Sequence, residues 1–543
     1  MTHRRRAAAL HAVSEPAPEP LDLRLAAPAA ASWAAAWWAV GQAGPGSWRA
    51  PAAAALVLGA LALPLGLAAV RHRIPRHRLD PRPGASPPQG DVAGSACAGL
   101  LVCVVAACAV LVVSAGACWA RERDPVTAAV AHGRSVTVVG TVTATPRTTT
   151  SARSTTVLTE VEVSTVDGAD SSERLTVLGG QDWLEAPMGA VVRVRTTLEP
   201  STAGARTAAI VGRDAGVRVL EPPTGTLGRV TGLREALARA VDTAPGAGSW
   251  STGAEELVPG IALGDDHALH PSVRQDMRTV NLTHLTAVSG QHVALVMGTA
   301  LTALGAVPHR PRAVVGAVLL VALVVLVRPS GSVLRAATMG AVLLVGVAAG
   351  RRSVCLPALC AAVIALLLVD PRQARDLGLT LSVAATAGIL LGTGPLTSLL
   401  PRWLPRPLAA AVALPVAAQA ACGPVLIGLQ PTVGVWSVPA NLLAAPVVPL
   451  ITLAGMAAAL VAPWWPWGAG LLAWPAGAAC SWIVTVARVL ADLPGALVPW
   501  PAGPGGALVL AACEAGTLAV LLGLRRRAGS GRAGPRTGGP WQA

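Results

Sequence analysis

Apolar runs near the roughly 20 residues that a helix needs to cross a bilayer recur from Ala29 to Leu524. Three precede residue 120: Ala29–Ala43, which is short and Trp-rich, Ala50–Val70 and Val92–Trp119. From Arg121 to about Glu221 the period changes. Val, Thr and Leu alternate with polar residues in Val136–Val142, Thr155–Val163, Arg174–Leu178 and Val191–Thr196, with Gly and Asp between them. This pattern predicts five or so short strands, which suits a small barrel of OB-fold size. Leu227–Val241 then alternates Arg with Leu, predicting an amphipathic helix at the membrane interface, and Gly253–Gly264 reads as interfacial or re-entrant. Nine further spans follow: Leu282–Ala306, Ala313–Val327, Val333–Gly350, Val354–Val369, Leu377–Gly394, Leu408–Leu429, Val438–Val461, Gly468–Leu490 and Gly506–Leu524.

The basic loop Arg71–Arg78 reads as cytoplasmic by the excess of positive charge that such loops carry. The third span then delivers the strand-rich insert to the outside. Alternate crossings after it place Arg310 and Arg312, Arg351 and Arg352, Arg402 and Arg406, and Arg525–Arg527 all in the cytoplasm, whereas Arg372 and Arg375 fall on the opposite side. The expected fold is an α-helical polytopic membrane protein of about 12 spans with broken helices and an extracytoplasmic OB-like insert. Its parts are residues 1–120 (three spans), 121–225 (β domain), 226–265 (interfacial helices), 266–524 (membrane core) and 525–543 (basic tail), with both termini cytoplasmic.

Composition sharpens this picture. At 53% apolar and 13% charged residues, the chain is too apolar for a cytosolic enzyme, a secreted disulfide scaffold or a disordered chain. Phe, Tyr and Lys are absent, which points to a GC-rich bacterial genome, so the all-Arg basic complement is weak support for phosphate binding. Many of the 16 Trp sit near span ends, where they take the interfacial role that Tyr usually shares. The nine Cys lie in apolar stretches without a CxxC motif, as buried small hydrophobes do, and indicate neither disulfides nor a thiolate metal site. The β insert is near neutral, with 11 Arg against 12 acidic residues, so charge does not mark it as a nucleic-acid binder.

Helix breakers are frequent in the core: Gly290, Pro415, Gly423-Pro424, Pro439, Pro446, Pro449 and Pro475. Broken helices are tolerated at membrane depth where protein or a water-filled cavity satisfies the freed backbone, which favours a conduit over an anchor. The densest polar cluster at that depth is Asn281-Leu-Thr-His-Leu-Thr-Ala-Val-Ser-Gly-Gln-His292. A continuous helix would place Asn281, His284, Ser289, Gln291 and His292 in one wet stripe. A break at Ser289-Gly290 would instead aim backbone N–H groups at an anion.

His284-Leu-Thr-Ala-Val-Ser-Gly-Gln-His292 resembles the H-L-x-A-x-S-G-x-H signature of the ComEC competence-protein family, the inner-membrane DNA uptake channels of transformable bacteria. Gly260–Gly264, Leu334–Met339, Asp376–Ser382 with Ala384 and Gly388, and Asn441–Pro446 fit in the expected order. The resemblance implies passage of single-stranded DNA into the cytoplasm, with membrane lipid around the channel and with a separate nuclease, a DNA receptor and a cytoplasmic DNA translocase as partners. Many members carry a metallo-β-lactamase-like nuclease domain, whose His-x-His-x-Asp-His cluster this sequence lacks. Neither enzymatic activity, cofactor nor metal is therefore carried over. Together with polarity, the resemblance nominates Asn281, His284, Ser289, Gly290, His292, Arg335, Ser382 and Asn441 for the DNA path. His284 and His292 either line that path or hydrogen-bond neighbouring helices. Arg335 either meets phosphate charge at the outer mouth or anchors its helix at the interface. Asn441 either satisfies carbonyls freed by the nearby prolines or faces the pore.

Two other readings compete. One is a transporter of another polymer or solute. The other is an intramembrane hydrolase using Ser289 with a histidine base, although Ala287 stands where a Gly-x-Ser-Gly motif has its first glycine.

Overall fold

The computed structural model describes residues 22–42, 44–73, 92–151, 154–212, 215–286, 290–328, 331–349, 355–401 and 403–530. Most of the basic loop Arg71–Arg78, the arginines Arg351, Arg352 and Arg402, and the centre of the signature, Ala287–Ser289, lie outside them.

The N-terminal region forms α1 (Ala26–Val40), α2 (Arg49–Arg73) and α3 (Val92–Arg123), and α4 (Pro125–His132) leads into the strand-rich insert. After the insert come α5 (Gly225–Asp242), α6 (Ala254–Leu263), α7 (Pro271–Thr279), α8 (Gly290–Ala303), α9 (His309–Val327), α10 (Gly331–Ala348), α11 (Cys355–Val369), α12 (Leu377–Leu399), α13 (Arg406–Ile427), α14 (Ser437–Ala444), α15 (Val448–Val461), α16 (Pro466–Ala491) and α17 (Gly503–Ser530). Among the described residues eight helices are long and apolar enough to cross a membrane: α2, α3, α9, α10, α12, α13, α16 and α17. The pair α14 and α15, bent by 51° where Pro446 and Pro449 interrupt the helix, makes a ninth when counted as one broken span.

The other three predicted spans are the shorter helices α1, α8 and α11, of 15, 14 and 15 residues. At 1.5 Å per residue these reach about 22 Å, less than the roughly 30 Å of hydrocarbon. The span predicted over Leu282–Ala306 is not one helix. Asn281 has φ +56°, a single turn of 3₁₀-helix covers Thr283–Leu285, and α8 starts afresh at Gly290. Asn is among the few residue types that adopt this left-handed conformation without large cost.

The insert has eight strands, of which five close a barrel: β1 (Ser135–Val142), β3 (Ser154–Val166), β5 (Arg174–Gly179), β7 (Ala209–Val211) and β6 (Val191–Pro200), which pairs back onto β1. β2 (Arg147–Ser151) and β4 (Ala169–Asp170) extend β3, and β8 (Val217–Glu221) flanks β6. The β5–β7 pairing is parallel and the others are antiparallel. The two-residue period read in the sequence is the inside–outside alternation of the barrel wall; Val136, Val138 and Val142 of β1 point inward. Trp183 fills the interior, wholly buried, and its Nε1 donates to the Ala215 carbonyl at 3.0 Å.

The amphipathic stretch becomes α5. The short helix α6 is deeply buried, with Leu257, Val258, Ile261 and Leu263 inaccessible, and packs on both α15 and α16. Gly455 permits the approach, since a Cβ there would stand 2.6 Å from that of Ala262.

Arg372 and Arg375, the exceptions to the charge rule, sit beside the β domain in the 3₁₀ turn Pro371–Arg375. Arg372 donates to the Ala117 carbonyl at 2.9 Å and pairs with Glu173 at 3.2 Å. Arg375 donates to the Trp37 carbonyl at 3.0 Å and lies 4.2 Å over that Trp ring. Both charges are engaged in packing the turn against the barrel and α1, a local attraction distinct from the bias that keeps free arginines cytoplasmic.

Candidate functional site

The nominated residues separate into three places. The first is a polar knot at the entrance to α14. Asn281 Nδ2 donates to Ser437 Oγ at 3.0 Å, Ser437 Oγ donates to the Gly434 carbonyl at 2.6 Å, and Asn441 Nδ2 donates to the Ser437 carbonyl at 2.8 Å. A two-stranded pairing of β9 (Thr432–Gly434) with β10 (Leu497–Pro499) presents Gly434 to this knot. Any side chain at 434 would collide with it, because a Cβ would lie 2.7 Å from Ser437 Oγ and 3.3 Å from Asn281 Nδ2. Asn281 and Asn441, far apart in sequence, are thus tied by one buried serine, and Asn441 occupies its own helix's backbone rather than a carbonyl freed by proline.

The second place is the break before α8. His284 Nδ1 is 3.0 Å from the Asn281 carbonyl, and its ring is exposed, as are Thr283, Gly290 and Gln291. His292 is fully buried within the first turn of α8. The stripe expected on one helix face is therefore split: His284 faces open space from the 3₁₀ turn, while His292 faces protein. Gly290 packs toward α10, with a Cβ placed there 4.0 Å from that of Ala336. Ser289 lies outside the described residues.

The third place surrounds Arg335, which is buried in α10. Its guanidinium pairs with Asp376 at 3.7 Å. Asp376 also caps α12, accepting from the Leu379 N–H at 2.8 Å, so one carboxylate fixes a helix start and holds a buried cation. Gly331 and Gly378 border the guanidinium, and a Cβ on either would approach it within about 3 Å. Ser382 is half-buried on α12 beyond this pair, its carbonyl accepting from Thr386 at 2.8 Å; it is not brought to the knot or to His284.

Sequence reasoning missed a buried ionic cluster where α5, α6, α9 and the barrel meet. Arg234 Nη2 donates to the last carbonyls of two helices, Leu263 at 2.5 Å and Val327 at 2.7 Å, and Nη1 pairs with Asp265 at 3.6 Å. Asp265 in turn holds His267 Nδ1 at 2.5 Å. Arg328, whose φ of +74° is uncommon for a non-glycine, reaches Thr231 at 2.7 Å and Thr145 of the barrel at 3.4 Å. Burial lowers the Arg234 pKa to about 10, so it remains charged at neutral pH. Burial alone would raise the Asp265 carboxyl; the hydrogen bond with His267 and the Arg234 charge outweigh it and hold it below the ordinary range. That hydrogen bond raises His267 against the opposing effect of burial. The available signal was the run Asp265-Asp266-His267 immediately after Gly260–Gly264, in a stretch read for its glycines alone.

Among the described residues no group of three or more His, Cys, Asp or Glu is arranged to hold a metal ion. Residues 261–525 match the family model described as Competence protein. Neither a curated protein nor a solved structure matches the chain.

Proposed function

Residues 261–525 place the chain with the competence proteins, and from that premise we propose that it serves DNA uptake and conducts single-stranded DNA across the cytoplasmic membrane during natural transformation. The family match is the observation that carries this reading. Two structural features support it. Polar groups at the break before α8 are exposed although apolar helices surround them in sequence, and the bent pair α14–α15 starts from a hydrogen-bonded knot. A strand of phosphodiesters needs a hydrated path with sequence-blind contacts, and discontinuous helices are the usual means of building one.

In this reading α1, α8 and α11 join the nine longer spans to give about twelve crossings. The β domain lies outside the cell and both termini lie inside. The strand order β1-β3-β5-β7-β6, closed onto β1, supports an OB-like barrel at the outer mouth. The protein acts as a conduit; strand degradation, surface capture and pulling belong to a separate nuclease, receptor and translocase. His284 lines the path, while His292 positions the wall behind it.

Arrival of labelled DNA in the cytoplasm tests the proposal, comparing wild type, a deletion and His292→Ala under conditions that preserve surface binding. Loss of cytoplasmic label in the deletion, with surface label intact, is the expected result. Unchanged arrival in the deletion discards the conduit and moves weight to transport of another solute.

A further inference from the structure

The joint between the barrel and the membrane core holds more positive than negative charge. Glu173 is shared by Arg121 at 2.9 Å and Arg372 at 3.2 Å, Asp370 pairs with Arg206 at 3.2 Å, and Asp376 pairs with Arg335 at 3.7 Å. Arg375 adds a further cation held by a carbonyl and a Trp face. Among these described residues four arginines thus share three carboxylates and a fifth, Arg375, has none, in a region where unpaired charge is costly.

Two of these arginines meet at one spot. Nη1 of Arg335 and Nη1 of Arg206 lie 3.2 Å and 3.5 Å from the point where a Cβ on Gly331 would be, so two like charges face each other across a residue without a side chain. The Arg335 side chain is 9% exposed, and its Nε has no hydrogen-bond partner among the described residues. Arg206 comes from the barrel and Arg335 from the membrane core, so the pair spans the joint. Each guanidinium is held from one side by a carboxylate, Asp370 for Arg206 and Asp376 for Arg335, and two guanidinium forks side by side match the oxygens of a phosphodiester.

We propose that Arg206 and Arg335 form a phosphodiester-binding clamp, floored by Gly331, through which the backbone of a single strand passes from the β domain to the membrane core. The clamp rests on the conduit reading and adds to it a defined point of backbone contact. Contact with the backbone alone makes it indifferent to base sequence.

The test uses the full chain in nanodiscs of zwitterionic lipid and a fluorescent oligothymidylate, with binding measured across a salt series. Arg206→Gln is the main variant because its side chain is partly exposed and its loss leaves the buried Arg335–Asp376 pair intact; Arg335→Lys retains the charge and removes the fork. Arg206→Gln is expected to weaken binding about tenfold at low salt and to reduce the salt slope by about 0.7, the share of one phosphate contact on a single strand. A methylphosphonate oligonucleotide, which lacks the charge, should bind both proteins equally. Unchanged affinity and slope in both variants overturns the clamp, as does a fall in thermal stability with binding intact, which would make the cluster only a structural joint. Loss of the variant's effect in anionic-lipid nanodiscs would assign the site to a lipid headgroup and also overturn it. If the deletion abolishes DNA arrival while both variants bind and import normally, the conduit stands without the clamp; if wild type neither binds nor imports DNA, the conduit itself fails.

Discussion

Replacing Arg234 with Met retains much of the aliphatic volume and removes three interactions at once: two donated hydrogen bonds to the carbonyls of Leu263 and Val327, and the charge facing Asp265. Removing one partner of a buried pair costs about 3–5 kcal/mol, and an unsatisfied buried carbonyl adds about 1–3 kcal/mol. His267 still pairs with Asp265, and that half-exposed ring lets water reach the carboxylate. The expectation is therefore the lower end, about 3 kcal/mol. For a unit of this size that is a fall in apparent midpoint on the order of 6–12 °C. Thermal unfolding in detergent of wild type, Arg234→Met, Asp265→Asn and the double variant gives a cycle with an expected coupling of about 2 kcal/mol between the two sites. A single variant within about 0.5 kcal/mol of wild type, or strictly additive losses, would show that the cluster does not hold α5, α6 and α9 together.

Three further outcomes follow from the geometry. His267 titrates above its ordinary value, so its contribution is complete below about pH 6.5 and disappears as pH rises through the raised value, whereas the Asp265 contribution is present above about pH 3.9 and disappears on acidification; the stability gap between wild type and His267→Gln should shrink from pH 6 to pH 9, and a constant gap would refute the pairing. Gly455→Val should destabilise by about 1–3 kcal/mol or more by driving α15 off α6, while Gly516→Ala, with open space around it, should be neutral in the same melt. At position 281 the expected stability order is Asn above Gly above Ala, because Gly loses only the bond to Ser437, about 1 kcal/mol, and Ala also bears the left-handed φ, about 1 kcal/mol more; equal stability of Gly and Ala would contradict the backbone strain.

Periodicity made the β domain and the long apolar helices legible, because burial on one face or within lipid imposes the pattern directly. Asn281-to-His292 was legible as polar at membrane depth. Its shape was not, since a continuous helix and a broken one satisfy the same composition, and the left-handed Asn281, the 3₁₀ turn Thr283–Leu285 and the start of α8 at Gly290 decide between them. Burial of α6 was hidden because a ten-residue apolar helix reads alike whether lipid or protein covers it; Gly455, which makes room for it, lies far along the chain. Arg372 and Arg375 misled the charge rule for a related reason, as their partners Glu173 and Trp37 come from the barrel and from α1. Pairing across such distances leaves no local trace.

The buried position of α6 has a consequence for how the protein is made. Its apolar surface is covered by α15 and α16, which start only at Val448 and Pro466. While the ribosome is still extending the chain, those partners do not exist, and a helix of ten residues is too short to shelter as a span. Glu255 and Glu256 in its first turn give it one polar end, so the nascent helix is expected at the bilayer surface, its apolar side in the headgroup boundary. In the finished structure it is buried against both helices. The last fifth of the chain thus completes a core around a helix made much earlier.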